Sequence, residues 1–181
     1  MRPVVLFLVF SVCQAPSPGP QAADPAAPDT IGPLEQAAAR LARKGRFDES
    51  TRAYRRIAAL RPTSPALCRW QVAIINNTLA AGTKRDVVPE IQRLAAFDRT
   101  FAEGPARAEA RDTCHRALHD LLGELVFIWN KEMTRGCTAF SWPNWPLLEQ
   151  LFHEFLADFP DDPQAPEARR QLERLYELQR R

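Results

Sequence analysis

The stretch GRFDESTRAYRRIAALRP, residues 45 to 62, begins with glycine, ends with proline and spaces its inner residues like one face of a helix. Ser50, Tyr54 and Ile57 lie three or four positions apart, so an α-helix places them on the same side. Pro62 cannot continue such a helix, because it lacks the backbone N–H that the next turn needs. The stretch therefore predicts a short amphipathic helix whose inner face must pack against another helix.

Another predicted helix precedes this one and ends at the glycine. Its inner face carries small and apolar residues, namely Leu34, Ala37, Ala38 and Leu41. Gly45 suits the left-handed conformation that commonly terminates a helix, and Asp48 is the predicted N-cap of the helix that follows. Two amphipathic helices joined by so short a turn predict an antiparallel hairpin.

The same spacing returns near the C-terminus. Four residues repeat the intervals of the opening stretch, namely Leu148, Phe152, Phe155 and Pro160. A last helix follows, with an inner face of Ala168, Leu172 and Leu175. We expect Asp162 or a residue beside it to cap that helix. A unit that recurs in this way indicates stacked helical hairpins.

Three more helices are predicted in the middle of the chain. Ser64 and Pro65 begin the first, which is apolar on more than one side. The second follows Gly82, has Pro89 in its first turn, and carries three inner residues, Val87, Ile91 and Leu94. The third runs from about residue 105 to 133, with a stripe of Ala110, Cys114, Ala117, Leu121, Leu125 and Ile128. Because no strand alternation appears after residue 30, residues 31–181 are predicted to form one all-α domain of about seven helices, stacked as antiparallel hairpins.

The first 13 residues are typical of an export signal. A basic residue precedes an uninterrupted apolar run, residues 4–10, which is too short to cross a bilayer. Cys13 lies where a bacterial lipoprotein signal places its lipidated cysteine, which predicts a membrane anchor at that residue. The alternative is ordinary signal cleavage near Ala22 or Ala23.

Residues 14–30 separate this signal from the helices. They are rich in Pro and Ala and contain almost no large apolar side chain, so they cannot form a core. We therefore predict a disordered tether between the anchor and the folded domain.

Composition and motifs exclude several classes of function. A formal net charge of +2 is too small for the electrostatic footprint of a nucleic-acid binder. The chain has no glycine-rich phosphate loop, no G-x-S-x-G elbow and no H-E-x-x-H motif. We expect no enzyme activity, no cofactor and no small-molecule substrate. The alternative is a small periplasmic metal-binding protein or envelope enzyme that uses His115 and His119, four apart on one helix.

Two cysteines are candidates for a disulfide. Cys68 and Cys114 each fall on a predicted inner helix face, and an exported protein meets an oxidising compartment. Two buried free thiols are the alternative, because reduced cysteine packs as a small hydrophobe. Cys137 is left over in a predicted loop, either as a free thiol or as a partner for another chain.

The stretch that begins at Gly45 resembles the second half of a tetratricopeptide repeat. The glycine turn, the small Ser50, the aromatic Tyr54, the apolar Ile57 and the terminal Pro62 are in the register of that motif. This resemblance implies a short tetratricopeptide-like α-solenoid that binds proteins in a groove. By the same resemblance, the groove residues of the first helix are Glu35, Ala39 and Arg43.

Further segments resemble tetratricopeptide proteins of myxobacterial gliding (adventurous) motility. They are CRWQVAIINN from Cys68, LVFIWNKEMTRG around Trp129, and LFHEFLADFPDD. The last is also similar to tetratricopeptide outer-membrane lipoproteins of the barrel-assembly and Tol-Pal systems. The resemblance implies a scaffold in the periplasm, anchored to the outer membrane through Cys13, whose partners are other envelope proteins of a motility or assembly complex.

Two surface features are candidate contact sites for a partner. The segment SWPNWP concentrates Trp142 and Trp145 between prolines, either as a rigid aromatic anchor for a partner or as a lid on the last hairpin. The first hairpin is strongly basic, which is usual for a solvated helix surface and also suits anionic lipid head groups or acidic proteins.

Overall fold

The computed structural model describes residues 30–82, 84–101, 108–135 and 145–180. Within these ranges the chain forms seven helices and no strand, namely α1 (Ile31–Arg43), α2 (Phe47–Leu60), α3 (Leu67–Ala80), α4 (Lys84–Phe101), α5 (Ala108–Arg135), α6 (Trp145–Asp158) and α7 (Ala165–Gln179). The all-α prediction is confirmed. The predicted export signal with Cys13, residues 14–29 of the tether, Cys137 and Trp142 lie outside the described residues.

The helices stack in chain order as antiparallel hairpins. Every helix packs against the next one, and α3 packs also against α5, α4 against α6, and α5 against α7. Contacts to the next helix and to the next but one are the pattern of a short helical solenoid, in which each unit touches only its neighbours.

The turn between α1 and α2 is a Schellman motif. Gly45 has a φ of 73°, and its N–H donates to the carbonyl of Ala42, while the N–H of Arg46 donates to the carbonyl of Leu41. This closes the end of α1 as the glycine predicts. The predicted cap of α2 is wrong, because the N-cap position is Arg46. Asp48 lies in the first turn instead, where its negative charge favours the helix N-terminus.

The starts of the other helices also differ from expectation. α3 begins at Leu67, and the Ser64 hydroxyl accepts a hydrogen bond from the N–H of Ala66 at 3.2 Å. Pro89 lies inside α4, beyond its first turn. The N-cap position of α7 is Gln164, whose N–H donates to the carboxylate of Asp162 at 2.7 Å. Short polar side chains therefore act one or two residues before the helices that they precede.

The core lies between the helices and contains the residues that the repeat spacing selected. Ser50, Tyr54 and Ile57 are buried in α2, and the corresponding Leu148, Phe152 and Phe155 are buried in α6. The spacing was less accurate in α5, where Leu118, Leu122, Val126 and Trp129 are buried. Ala117 and Leu121 are only partly buried, and Ile128 is 43% exposed. None of the described helices combines the length and the apolar composition needed to cross a bilayer.

Candidate functional site

The first helices of two successive hairpins present a shared face, joined by an ion pair. Arg69 of α3 lies 2.8 Å from the carboxylate of Glu35 in α1, and the two side chains are 66% and 28% exposed. Residue 69 follows residue 35 by 34 positions, which is the period of a tetratricopeptide repeat. Equivalent positions of α1 and α3 therefore lie side by side, as they do in a solenoid.

The other predicted groove residues lie on the same stripe of α1. Ala39 follows Glu35 by four positions and is partly exposed, and Arg43 follows by four more and is exposed. On α3 the matching stripe is Arg69, the partly exposed Ala73 and the exposed Asn76. We call these six residues the α1–α3 face. It combines charged ends with small residues between them, a surface on which another backbone can approach closely.

A buried carboxylate holds the first two hairpins together behind this face. Glu90 of α4 is 4% exposed, and it accepts from Arg55 of α2 at 2.6 Å. Gln71 of α3 donates to the Glu90 side chain at 2.7 Å and to its backbone carbonyl at 2.8 Å, and Arg93 completes the cluster at 2.8 Å. Burial raises the pKa of Glu90, but these donors outweigh it and hold the pKa below its ordinary value.

Sequence reasoning missed this cluster, although a signal was present. Gln71 interrupts the apolar run of α3, and Glu90 lies between the buried Val88 and Ile91 of α4. A polar residue on an inner face requires a partner, because burying an unpaired charge costs several kcal/mol. The spacing alone does not say which helix supplies that partner.

A second polar contact sits at the small position of the repeat. The Asn77 side-chain amide of α3 donates to the hydroxyl of Ser50 at 2.9 Å and to that of Thr51 at 3.3 Å. Ser50 is fully buried, so the small residue lets two helices approach and also satisfies the amide between them.

The structure pairs Cys68 of α3 with Cys114 of α5 in a disulfide. Their Cα atoms are 5.2 Å apart, which is within the usual range for a disulfide. Both residues are fully buried, so the bond ties the second hairpin to the long helix from inside the core.

The two histidines of α5 have different partners. His115 Nδ1 lies 3.0 Å from a carboxylate oxygen of Asp98 in α4. His119 Nε2 lies 2.7 Å from Asp162, in the turn before α7, and its Nδ1 lies 3.1 Å from Asp120. The hydrogen bond to Asp162, then that to Asp120, raise the pKa of His119. The expectation that this face is simply wet was wrong, because each imidazole joins α5 to a neighbouring element.

An open cavity of about 450 Å³ lies beside these histidines. Its lining includes Asp158 and Phe159, and both imidazoles lie within 5.1 Å of the Phe159 ring, centroid to centroid. Among the described residues, no group of three or more His, Cys, Asp or Glu side chains could hold a metal ion. The chemistry available here is hydrogen bonding between helices.

Trp145 is the first residue of α6 and packs on the last hairpin. Its ring is partly buried against the core and meets Tyr176 of α7 edge to face, with centroids 6.2 Å apart. The Tyr176 hydroxyl donates to Glu149 at 2.7 Å. Trp145 therefore lies where the lid alternative places it.

No protein-family model matches this chain, and no curated protein and no solved structure is similar to it.

Proposed function

We propose that this protein is a non-catalytic scaffold of the bacterial cell envelope that binds another polypeptide along the α1–α3 face. The observation that carries the proposal is the pairing of Glu35 with Arg69 at a separation of 34 residues. It sets equivalent positions of two first helices beside each other, and in tetratricopeptide stacks these helices line the groove.

The composition of the face suits a peptide or a helix of a partner. Ala39 and Ala73 leave room for a backbone, and Arg43 and Asn76 supply donors at its edge. The exposed Glu35–Arg69 pair is weakly stabilising on its own, so its two charges are available to pair with opposite charges of the partner. The specificity of such a face comes from charge complementarity more than from buried area.

The envelope location is supported by two features of the chain. The buried disulfide between Cys68 and Cys114 belongs to an oxidising compartment, because cytosolic thiols are kept reduced. The first 13 residues have the pattern of an export signal ending in Cys13. We propose an outer-membrane lipoprotein that faces the periplasm and serves a motility or assembly complex.

Site-specific photo-cross-linking in the source cells tests the interaction. A photo-reactive amino acid replaces Ala39 or Ala73 on the face, and Ala59 of α2 or Ala96 of α4 as matched controls. The two controls are more exposed than the test positions, so random collision favours them. We expect Ala39 and Ala73 to cross-link to one common protein that the controls do not reach. Equal yields at all four positions, or none on the face, would overturn the proposal.

A further inference from the structure

The outer side of the first hairpin carries a regular row of cations that ends in an exposed leucine. Arg52, Arg56 and Leu60 follow one another at four-residue spacing on α2, so they lie on one stripe of the helix. Both arginines are exposed, and Leu60 is 52% exposed. Arg61 follows directly. We call these four residues the α2 stripe.

The charge of this hairpin is not neutralised from within. Among the described residues, Arg52, Arg56 and Arg61 have no ion-pair partner, and the same holds for two exposed cations of the α1 segment, Arg40 and Lys44. The nearby carboxylates are engaged elsewhere, Glu35 by Arg69 and Glu49 by Arg46. Positive charge therefore accumulates at one end of a chain whose formal net charge is only +2.

We propose that the α2 stripe binds an anionic lipid surface, with its arginines at the head groups and Leu60 at the boundary with the acyl chains. This inference rests on the proposed envelope location. Clustered arginines and lysines are attracted to anionic membranes, by about fivefold in affinity for each cation near the surface. An exposed leucine beside them adds apolar contact that a hydrated protein or nucleic-acid surface does not offer.

The position of the hairpin in the chain favours the same occupant. The 17 residues from 14 to 30 span at most about 60 Å when fully extended. A lipid on Cys13 would keep α1 and α2, the first helices after this segment, within that distance of the membrane. The anchor and the stripe would then act together, as one lipid chain alone gives only marginal membrane binding.

Vesicle binding by the full chain tests the proposal. The protein carries Cys13→Ser so that no lipid is attached, and binding is measured by flotation with phosphatidylcholine vesicles that contain or lack about one third phosphatidylglycerol. The test variant is Arg52→Gln, Arg56→Gln and Arg61→Gln combined. The control is Arg85→Gln, Arg111→Gln and Arg174→Gln, which removes the same charge from exposed arginines of α4, α5 and α7.

The unmodified stripe should bind the anionic vesicles at least tenfold more tightly than the neutral ones. We expect the test variant to lose about a hundredfold in affinity for anionic vesicles at low salt, and the control to stay within about threefold. Leu60→Ser should weaken binding severalfold with the net charge unchanged. Salt of about 0.5 M should remove the preference for anionic lipid, since it shortens the screening length to a few ångströms.

Three results would overturn the proposal. They are equal binding to both vesicles, an equal loss in the test and control variants, and binding of duplex DNA through the α2 stripe as tight as that of anionic vesicles. Circular dichroism of each variant ensures that the comparison is between folded proteins. Failure here leaves the cross-linking result for the α1–α3 face untouched, because that measurement involves a different side of α1 and α3 and no lipid.

Discussion

At the scale of single residues, buried polar groups set how the hairpins align. Glu90 accepts hydrogen bonds from α2 through Arg55, from α3 through Gln71 and from its own helix through Arg93. Moving any one of these helices by a turn would leave a charge buried without a partner, which costs several kcal/mol. The cluster therefore selects one arrangement among the several that apolar packing alone tolerates.

Replacing Glu90 with glutamine tests this role. The variant keeps the size of the side chain but removes the charge that Arg55 and Arg93 face, so we expect the free energy of unfolding to fall by about 2 kcal/mol. The measurement is equilibrium urea denaturation followed by circular dichroism. Glu49→Gln, which breaks an exposed pair with Arg46, is the matched control and should change little. A loss of stability as small as that of the control would contradict the assignment.

His119 makes the stability of the protein depend on pH. Its folded pKa is raised by Asp162 and Asp120, while the unfolded value is about 6.5. A raised pKa adds stability that is fully present below the unfolded pKa and is lost as the pH rises through the folded pKa. Wild type should therefore exceed His119→Gln in melting temperature by more at pH 5.5 than at pH 9.

The control for this measurement is His153→Gln, because His153 is 61% exposed on α6 and lies 4.0 Å from its carboxylate neighbour Glu149. Its melting temperature should follow that of the wild type at every pH. A constant difference between wild type and His119→Gln from pH 5.5 to 9 would show that protonation of His119 contributes no stability.

Residue-scale contacts were the part of the site that the sequence could not predict. Helical periodicity selected Ser50, Tyr54 and Ile57 correctly, because burial within one helix follows from spacing. It gave no partner for Glu90 or His119, because Asp162 is 43 residues from His119 and such pairs depend on how the helices stack.

At the scale of elements, the long helix α5 shows why a straight stripe is a poor guide over many turns. The predicted stripe assumed one fixed face from Ala110 to Ile128, whereas the buried residues advance by four at a time through Leu118, Leu122 and Val126. Steps of four rotate the buried face by about 40° each, because a turn takes 3.6 residues. The face turns because α5 contacts α3 and α4 on one side, and α6 and α7 on the other.

Two glycine substitutions should have opposite effects on the same protein. Gly45→Ala forces an L-residue into a φ of 73°, which we expect to cost about 1 kcal/mol of stability, although no atom lies near its added methyl. Gly123 lies inside α5, and a Cβ there would meet only Phe155 at an ordinary 3.9 Å. Gly123→Ala should therefore stabilise the protein by about 0.5–1 kcal/mol.

Thermal unfolding of both glycine variants checks the two signs. Gly45→Asn is the companion variant, because asparagine tolerates the left-handed region better than alanine and should restore part of the loss. If Gly45→Ala were as stable as wild type, the Schellman turn would not be what ends α1.

At the scale of the whole molecule, the stack is short and its stability is the sum of interfaces between neighbouring helices. The predicted architecture of stacked hairpins followed from local patterns, because each hairpin has an apolar face that only another hairpin can cover. The Cys68–Cys114 disulfide differs in kind from these contacts, because it joins α3 to α5 covalently across 46 residues.

Removing this bond should destabilise the entire stack. Closing a loop of 46 residues restricts the unfolded chain, so we expect reduction, or Cys68→Ser combined with Cys114→Ser, to lower the free energy of unfolding by about 2–4 kcal/mol. Cys137→Ser is the control and should leave both the stability and the response to reductant unchanged. Peptide mapping without reductant should find residues 68 and 114 in one linked fragment. The same mapping on protein trapped by alkylation in its source cells links stability to location, because an exported chain carries the bond and a cytosolic chain does not. Free thiols at both positions in the trapped protein would contradict the envelope location and leave the fold unaffected.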